Sequence, residues 1–349
     1  MSRAGNPKFL HPLTGSSATL LQATIDRLTP LAAPGQTYIV TGTSHAIDVA
    51  RQASRLDAEN ILVEPSPRDS CAAIGLAASI IAKRDPDAIM GSFATDHLVA
   101  DADRFVATVS SAIIGAEQGL LMTIGITPTH AETAYGYLEC DSTVGVNDSP
   151  IMRVEEFKEK PSVEVATAYV ASGHYLWNAG MFVWRVDAFL AELARQQPEL
   201  HAGLARIAHA WDTPEQADVM GAVWPTLPRI SVDYAVMEGA AAAGLVATVP
   251  GDFGWNDVGD FNTLGEVLPA DESGNVIIAP SSDKPDILLK DTTGSVVVPH
   301  GERLVAVLGM SNVIVVDTDD AVFICPRDRA QDVKAVVDAL RERGDSRFL

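Results

Sequence analysis

Four short, almost continuous apolar runs punctuate the first third of the chain: TYIVTG (37–42), NILVEP (60–65), AIMGSFATDH (88–97) and LLMTIGI (120–126). Each is too short for a helix and ends in turn-forming or polar residues, so each reads as a strand. Between them, Ala18–Leu28, Ser44–Leu56, Asp69–Lys83 and Ala102–Glu117 have helical spacing and helical length. Apolar strands alternating with helices predict a parallel sheet covered on both faces. Ligands bind such sheets beyond the carboxyl ends of the strands, which directs attention to Glu64-Pro65 and Asp96-His97.

The middle of the chain is less regular: YGYLEC (135–140), RVEEFKEKP (153–161), WNAGMFVW (177–184), a helical stretch over 186–209 and SVDYAVME (231–238). After GWNDVGDF (254–261) the texture changes. Apolar triplets and quartets (VII, ILL, VVV, VAVL, VIVV, VFI) follow one another from about Gly274 to Pro326, separated by Gly, Asp, Ser and Pro. No ordinary helix fits between them, which predicts a small β-solenoid or compact all-β unit. A final amphipathic helix is expected over Asp328–Arg343. The expected division is a large α/β domain over 1–268 and a β domain with its closing helix over 269–349.

Composition narrows the function classes. At 349 residues, 47% hydrophobic and 20% charged, the chain has the make-up of a globular enzyme of one large domain and one small. The run Val305–Val316 is broken by Gly309, Ser311 and Asn312, and no run reaches the roughly 18 apolar residues of a membrane span. Cys71, Cys140 and Cys325 form no CxxC pair, and the first residues lack the apolar core of a signal peptide. Free thiols in a reducing cytoplasm are therefore expected. A net charge of −21 argues against nucleic acid as a partner over a broad surface. It leaves room for a small phosphorylated ligand held by a local basic cluster and a divalent cation.

Five segments could carry chemistry, and each has a plainer reading. Asp96, just past a strand, suits a divalent cation, and so does Asp257 in GWNDVGDF; both also suit a turn or helix cap. In VEEFKEKPS the charges are a solvated run or a ligand contact. Pro161 is expected to hold Lys160 extended, where it would bind phosphate as a point charge, with Glu159 accepting from hydroxyls. Asn178 and Gly180, inside an aromatic-rich strand, suggest a bulge or a close approach to a ligand. Arg68 precedes a helix with Asp69 as its expected N-cap, a place for anion or base contact. Hydrolase and dehydrogenase motifs are missing from the sequence.

Taken in order, S-R-A-G-N-P-K-F-L, E-P-S-P-R-D-S-C-A-A-I, T-D-H, Y-G-Y-L, F-K-E-K-P, W-N-A-G-M-F, S-V-D-Y-A-V-M-E and W-N-D-V-G-D-F are collectively specific. With D-T-D-D-A-V-F-I-C-P-R-D-R-A-Q-D-V-K, they closely resemble the mannose-1-phosphate guanylyltransferases of the short, single-function bacterial type, from Ser2 to about Val337. The resemblance implies a doubly wound, Rossmann-like nucleotidyltransferase domain followed by a small left-handed β-helix. It implies synthesis of GDP-mannose and pyrophosphate from GTP and mannose 1-phosphate, with Mg²⁺, and a dimer or larger assembly. Residue by residue, it implies Asp96 and Asp257 as metal ligands, Lys8 toward the triphosphate, Lys160 on the sugar phosphate, and Arg3 as a substrate-binding residue. Glu159 and Asn178 would hold sugar hydroxyls, Gly136 would let the backbone approach the sugar, and Arg68 would lie near guanine or phosphate. Another sugar-1-phosphate nucleotidyltransferase, or a non-catalytic sugar-nucleotide-binding protein, are the alternatives.

Two departures stand out. Where the family reads R-N-T-A after E-P-x-x, this chain has Arg68-Asp69-Ser70-Cys71. The family signature also places a strand and G-G-x-G-T-R-x-W-P-x ahead of S-R-x-x-x-P-K, and only Ser2-Arg3 through Pro7-Lys8 correspond here. The expectation is a product with about 20 more residues, enough for one strand and its loop; a natural truncation with little or no activity is the alternative.

Overall fold

The computed structural model describes residues 7–13, 17–143, 150–279, 285–299 and 303–344. The large domain contains strands β1 (Ile39–Gly42), β2 (Ile61–Glu64), β3 (Ile89–Ser92), β4 (Leu98–Val99), β5 (Leu121–Ile126), β6 (Gly136–Thr143), β7 (Met152–Glu159), β8 (Tyr175–Arg185), β9 (Val246–Gly251) and β10 (Trp255–Asn256). Its helices are α1 (Leu20–Leu28), α2 (Ala46–Gln52), α3 (Asp69–Arg84), α4 (Ala102–Glu117), α5 (Val163–Ser172), α6 (Val186–Gln196), α7 (Pro198–Ala210), α8 (Gln216–Val223), α9 (Glu238–Ala242) and α10 (Phe261–Val267). The helix expected over 186–209 is two: Pro198 has no N–H to continue α6 and instead opens α7. At the other end, α1 begins at Leu20 because Thr19 and Gln22 cap each other's backbone N–H groups.

The main sheet runs β3-β8-β5-β9-β7-β6 and is mixed, which corrects the expected all-parallel sheet. Among the described residues only β5–β9 pairs in parallel there; the long strand β8 lies antiparallel between β3 and β5, and the β6–β7 pair forms one edge. Apolar continuity signalled burial on both faces, but burial carries no information on direction. On one face pack α3, α6 and α7 around Leu76, Phe189, Leu204 and Trp184. The Phe189 ring stacks on Trp184 with centroids 4.4 Å apart. Small residues let α3 approach α7 closely: a Cβ on Gly75 would come within 2.6 Å of Leu204 Cδ1. On the other face α4 covers the sheet through Phe105, Val109 and Ala112.

Strands β1 and β2 form their own parallel pair. Among the described residues, β1 pairs only with β2, and β3 only with β8. Both β1 and β3 border one cavity of about 930 Å³, whose lining is apolar at Ile25, Val40, Ile74, Ala77 and Met90 and polar at His97, Glu159, Asn178, Asp233 and Asp257.

The second unit comprises β11 (Val276–Ile277), β12 (Ile287–Lys290), β13 (Val296–Val298), β14 (Val305–Leu308), β15 (Val313–Asp317), β16 (Val322–Pro326) and α11 (Val333–Glu342). Two parallel ladders, β11-β13-β15 and β12-β14, stack Val276 on Val296 on Ile314 and Ile287 on Val305. This is the expected β-helix. Its core takes in Leu264 and Phe261 of α10 together with Val258. Among the described residues no helix is long and apolar enough to cross a membrane.

Candidate functional site

The part of the large cavity bordered by His97, Trp255 and Asp257 is assembled by one small feature. The two-residue strands β4 and β10 pair antiparallel, Leu98 opposite Asn256 and Val99 opposite Trp255. This brings the loop carrying Asp96 beside the loop carrying Asp257, although the two are remote in sequence. Arg27, half-buried and with its guanidinium pushed down to about 10 by desolvation, donates to the His97 carbonyl at 3.0 Å and so pins the first loop.

Lys8 completes the cluster. Its Nζ lies 3.1 Å from Asp96 Oδ2 and donates to the carbonyls of Asp257 (3.0 Å) and Val258 (2.9 Å). The short 3₁₀ turn Lys8–Leu10 directs it there. Tyr135 stands beside the Asp257 carboxylate, and burial followed by that charge drives the Tyr135 phenol far above its ordinary range. His97 accepts at Nδ1 from Trp255 Nε1–H at 3.3 Å, and burial holds the imidazole neutral by lowering its pKa.

A second cluster sits farther along the same cavity. Gly136 pairs opposite Glu159 across β6 and β7, and a Cβ on Gly136 would overlap Glu159 Oε2. The glycine therefore makes room for the carboxylate. Glu159 Oε1 pairs with Lys160 Nζ at 3.1 Å, while the buried Oε2 has no partner among the described residues. Lys160 is not extended as expected: its φ is +49°. Proline disfavours the right-handed region for the residue before it but leaves the left-handed one open, and Lys160 N–H bonds the Tyr135 carbonyl at 3.2 Å as the chain turns off β7. That turn folds the ammonium back onto its neighbour, so Glu159 and Lys160 meet although strand alternation would part them.

Asn178 is nearly buried and locked in orientation. Its Oδ1 accepts from Thr123 Oγ1 (2.8 Å) and Gly180 N–H (3.2 Å), and its Nδ2 donates to Asp233 Oδ1 (3.0 Å). Gly180, at φ +64°, supplies the bend that closes this arrangement.

Arg68 does not face the cavity with its guanidinium. Nη1 donates to the Leu227 carbonyl at 3.0 Å and Nη2 to that of Pro225, tying down the 225–227 loop. Asp69 is not the N-cap: Arg68 holds that position, and Asp69, at φ +68°, accepts from Ser70 N–H at 2.8 Å. The residue at this strand end that borders a cavity is Glu64. Burial raises its pKa against the opposing pull of the nearby Arg68 backbone N–H, and Oε2 has no partner among the described residues. Glu64 and the similarly unpartnered Nδ1 of His45 border a second cavity of about 240 Å³ with Phe9 and Gly42. Arg3 lies outside the described residues.

The structure thus brings Lys8, Asp96 and Asp257 together, and Glu159, Lys160, Gly136 and Asn178 together; Asp257, Gly136, Glu159 and Asn178 line one cavity. Sequence reasoning missed Tyr135 and Asp233, and marked Glu64 and His97 only as strand-end positions without a role. Each lay inside a segment already singled out, but nothing in local spacing distinguished a side chain facing a cavity from one facing solvent.

Residues 1–274 match the nucleotidyl transferase family, and residues 287–340 match the mannose-phosphate isomerase/GMP-like β-helix domain. The chain is 38% identical to the xanthan biosynthesis protein XanB of Xanthomonas campestris pv. campestris (strain B100), over 99% of this chain and 71% of that protein. It is 37% identical to the mannose-1-phosphate guanylyltransferase of Escherichia coli (strain K12), again over 99% and 71%. A crystal structure described as a mannose-1-phosphate geranyltransferase from Thermus thermophilus superposes with a TM-score of 0.83 at 32% identity. The match covers 97% of this chain and 94% of that one.

Proposed function

The chain belongs to the nucleotidyl transferase family and within it to the mannose-1-phosphate guanylyltransferases, and from that premise we propose the residue roles by which it joins GTP and mannose 1-phosphate. A phosphate oxygen of mannose 1-phosphate attacks the α-phosphorus of GTP. The bond from that phosphorus to the bridging oxygen breaks, and pyrophosphate leaves with the electron pair. The nucleophile is already ionised, so no general base is required. The protein's task is alignment and charge neutralisation.

The observation that carries this reading is the convergence of Lys8 and Asp96 on Asp257, which lines the same cavity as Glu159 and Asn178. Asp96 and Asp257 offer hard oxygen donors, and the cluster already attracts a cation, the Lys8 ammonium. That chemistry fits Mg²⁺, which takes one or two carboxylates plus substrate phosphate oxygens. When bound, the ion would neutralise charge developing on the phosphates. Lys8 places a second positive charge at the triphosphate end, and Lys160 one on the sugar phosphate. Trp255 orients His97, and Tyr135 stands beside Asp257.

Guanine is favoured by Glu64. A carboxylate with an unpartnered oxygen matches the adjacent N1–H and 2-amino donors of guanine. Adenine presents an acceptor at N1, which the same carboxylate would repel. The test is pyrophosphate release from purified protein with each nucleoside triphosphate, using mannose 1-phosphate and glucose 1-phosphate. GTP with mannose 1-phosphate is expected to react fastest. Binding of GDP-mannose without any pyrophosphate release would overturn the catalytic reading in favour of a binding protein.

A further inference from the structure

We propose that Asp233 is a sugar-reading residue, which together with Glu159 accepts hydrogen bonds from the hydroxyls of the hexose and so sets sugar specificity. The proposal rests on the sugar nucleotidyltransferase reading and extends it to a residue in SVDYAVME, a segment to which no chemistry has been assigned.

Asp233 opens a single π-helical turn, Asp233–Met237, and borders the same cavity as Glu159 and Asn178. Such wide turns are uncommon and concentrate at functional sites. The turn is held from outside: Val232 N–H donates to Ser70 Oγ at 2.9 Å, and Cys71 N–H donates to the Ile230 carbonyl at 3.3 Å. The amino-terminal end of α3 therefore fixes where the Asp233 carboxylate stands.

Its surroundings are specific. Asn178 cannot rotate, because Thr123 and Gly180 occupy its carbonyl oxygen, so its amide nitrogen must face Asp233. On the other side stands Glu159, with one oxygen held by Lys160 and the buried Oε2 unpartnered. The two carboxylates are close enough to feel each other. Burial first, and Glu159 second, push the Asp233 carboxyl up to about 6. An orphan carboxylate oxygen in a half-buried pocket is costly unless a ligand supplies a donor.

A pair of carboxylates repels phosphate, so the ligand group here is neutral and rich in hydroxyl donors. The phosphate end is marked separately by Lys160, whose side chain is more than half exposed on the far side of Glu159. A hexose 1-phosphate has this polarity, with an anionic end and several adjacent hydroxyls. Hydroxyl recognition by buried polar groups discriminates strongly between sugars that differ in one hydroxyl, because a missing or misplaced donor leaves the protein group unpaired.

The test is calorimetric binding of GDP-mannose, GDP-glucose and GDP to the wild type, Asp233→Asn and Asp233→Ala, with thermal unfolding of each. GDP is expected to bind all three alike. The advantage of GDP-mannose over GDP and over GDP-glucose is expected to fall about tenfold or more in Asp233→Ala and less in the isosteric Asp233→Asn, which keeps an acceptor. If Asp233→Ala keeps the wild-type ratios, or weakens GDP as much as GDP-mannose, Asp233 is structural and the proposal fails. If the wild type binds GDP-mannose no better than GDP, the sugar-nucleotide reading fails along with it.

Discussion

Leu98 stands opposite Asn256 in an antiparallel pair of two-residue strands, and this brief pairing sets Asp96 beside Asp257. Because the two carboxylates come from remote loops, either one can be removed without disturbing a helix or a main-sheet strand. Asp96→Asn and Asp257→Asn are each expected to lower pyrophosphate release by about a hundredfold or more, with melting temperatures near that of the wild type. Removing divalent cations from the wild type should abolish release, and adding back Mg²⁺ should restore it. Metal-dependent pyrophosphate assays with the two variants check this.

Gly136 makes space for Glu159, so Gly136→Ala should displace the carboxylate that faces the sugar. The expected result is a rise in the KM for mannose 1-phosphate with the KM for GTP unchanged. Overpacking at this position is expected to cost about 1–3 kcal/mol of stability. Steady-state kinetics with each substrate varied in turn, together with denaturant unfolding, separates the two effects.

Glu64→Gln tests the base reading. An amide in place of the carboxylate keeps only one acceptor, so the preference for GTP over inosine triphosphate, which lacks the 2-amino group, should largely disappear. Comparison of kcat/KM for the two nucleotides checks it, with the KM for mannose 1-phosphate expected to stay constant.

The raised carboxyl of Asp233 has a sign that can be measured. Its folded pKa lies near 6, above the ordinary aspartate value, so the native state holds a proton that the unfolded chain gives up. The contribution to stability is present at low pH and is lost as pH rises from about 4 through about 6. Asp233→Asn removes this dependence. The variant should gain stability relative to wild type between pH 4 and pH 7, as read from melting temperatures across that range. An unchanged difference would mean that Asp233 is ionised throughout.

Strands β1 and β3 border one cavity, each with a side open among the described residues. An extended apolar strand of roughly five residues could pair there with both. Fusing such a strand and a glycine-rich loop ahead of residue 1 is expected to raise the melting temperature and slow amide exchange in Ile39–Gly42 and Ile89–Ser92. A charged strand fused in the same way should do neither.

Much of this molecule was legible in its sequence because hydrophobic periodicity and turn residues act locally. The helices α3 and α4, the strands ending at Glu64 and beside Asp96, and the succession of short β-helix rungs all follow from runs of ten or so residues. The ordered motifs identified the family for the same reason, since each is contiguous. The antiparallel insertion of β8, the left-handed turn at Lys160 and the diversion of Arg68 onto the carbonyls of Pro225 and Leu227 were not legible. Each depends on a partner many residues away.

What the sequence determined by itself was therefore the family, the two units and a list of residues able to bind a metal, a phosphate and a sugar. Tertiary structure alone decided which of them meet. It joined Lys8 to Asp96 and Asp257, turned Lys160 onto Glu159, locked Asn178 against Asp233 and left Glu64 Oε2 open to a cavity. Side-chain chemistry is written into each residue, whereas distance between remote loops is set by pairing and packing, to which local pattern is blind.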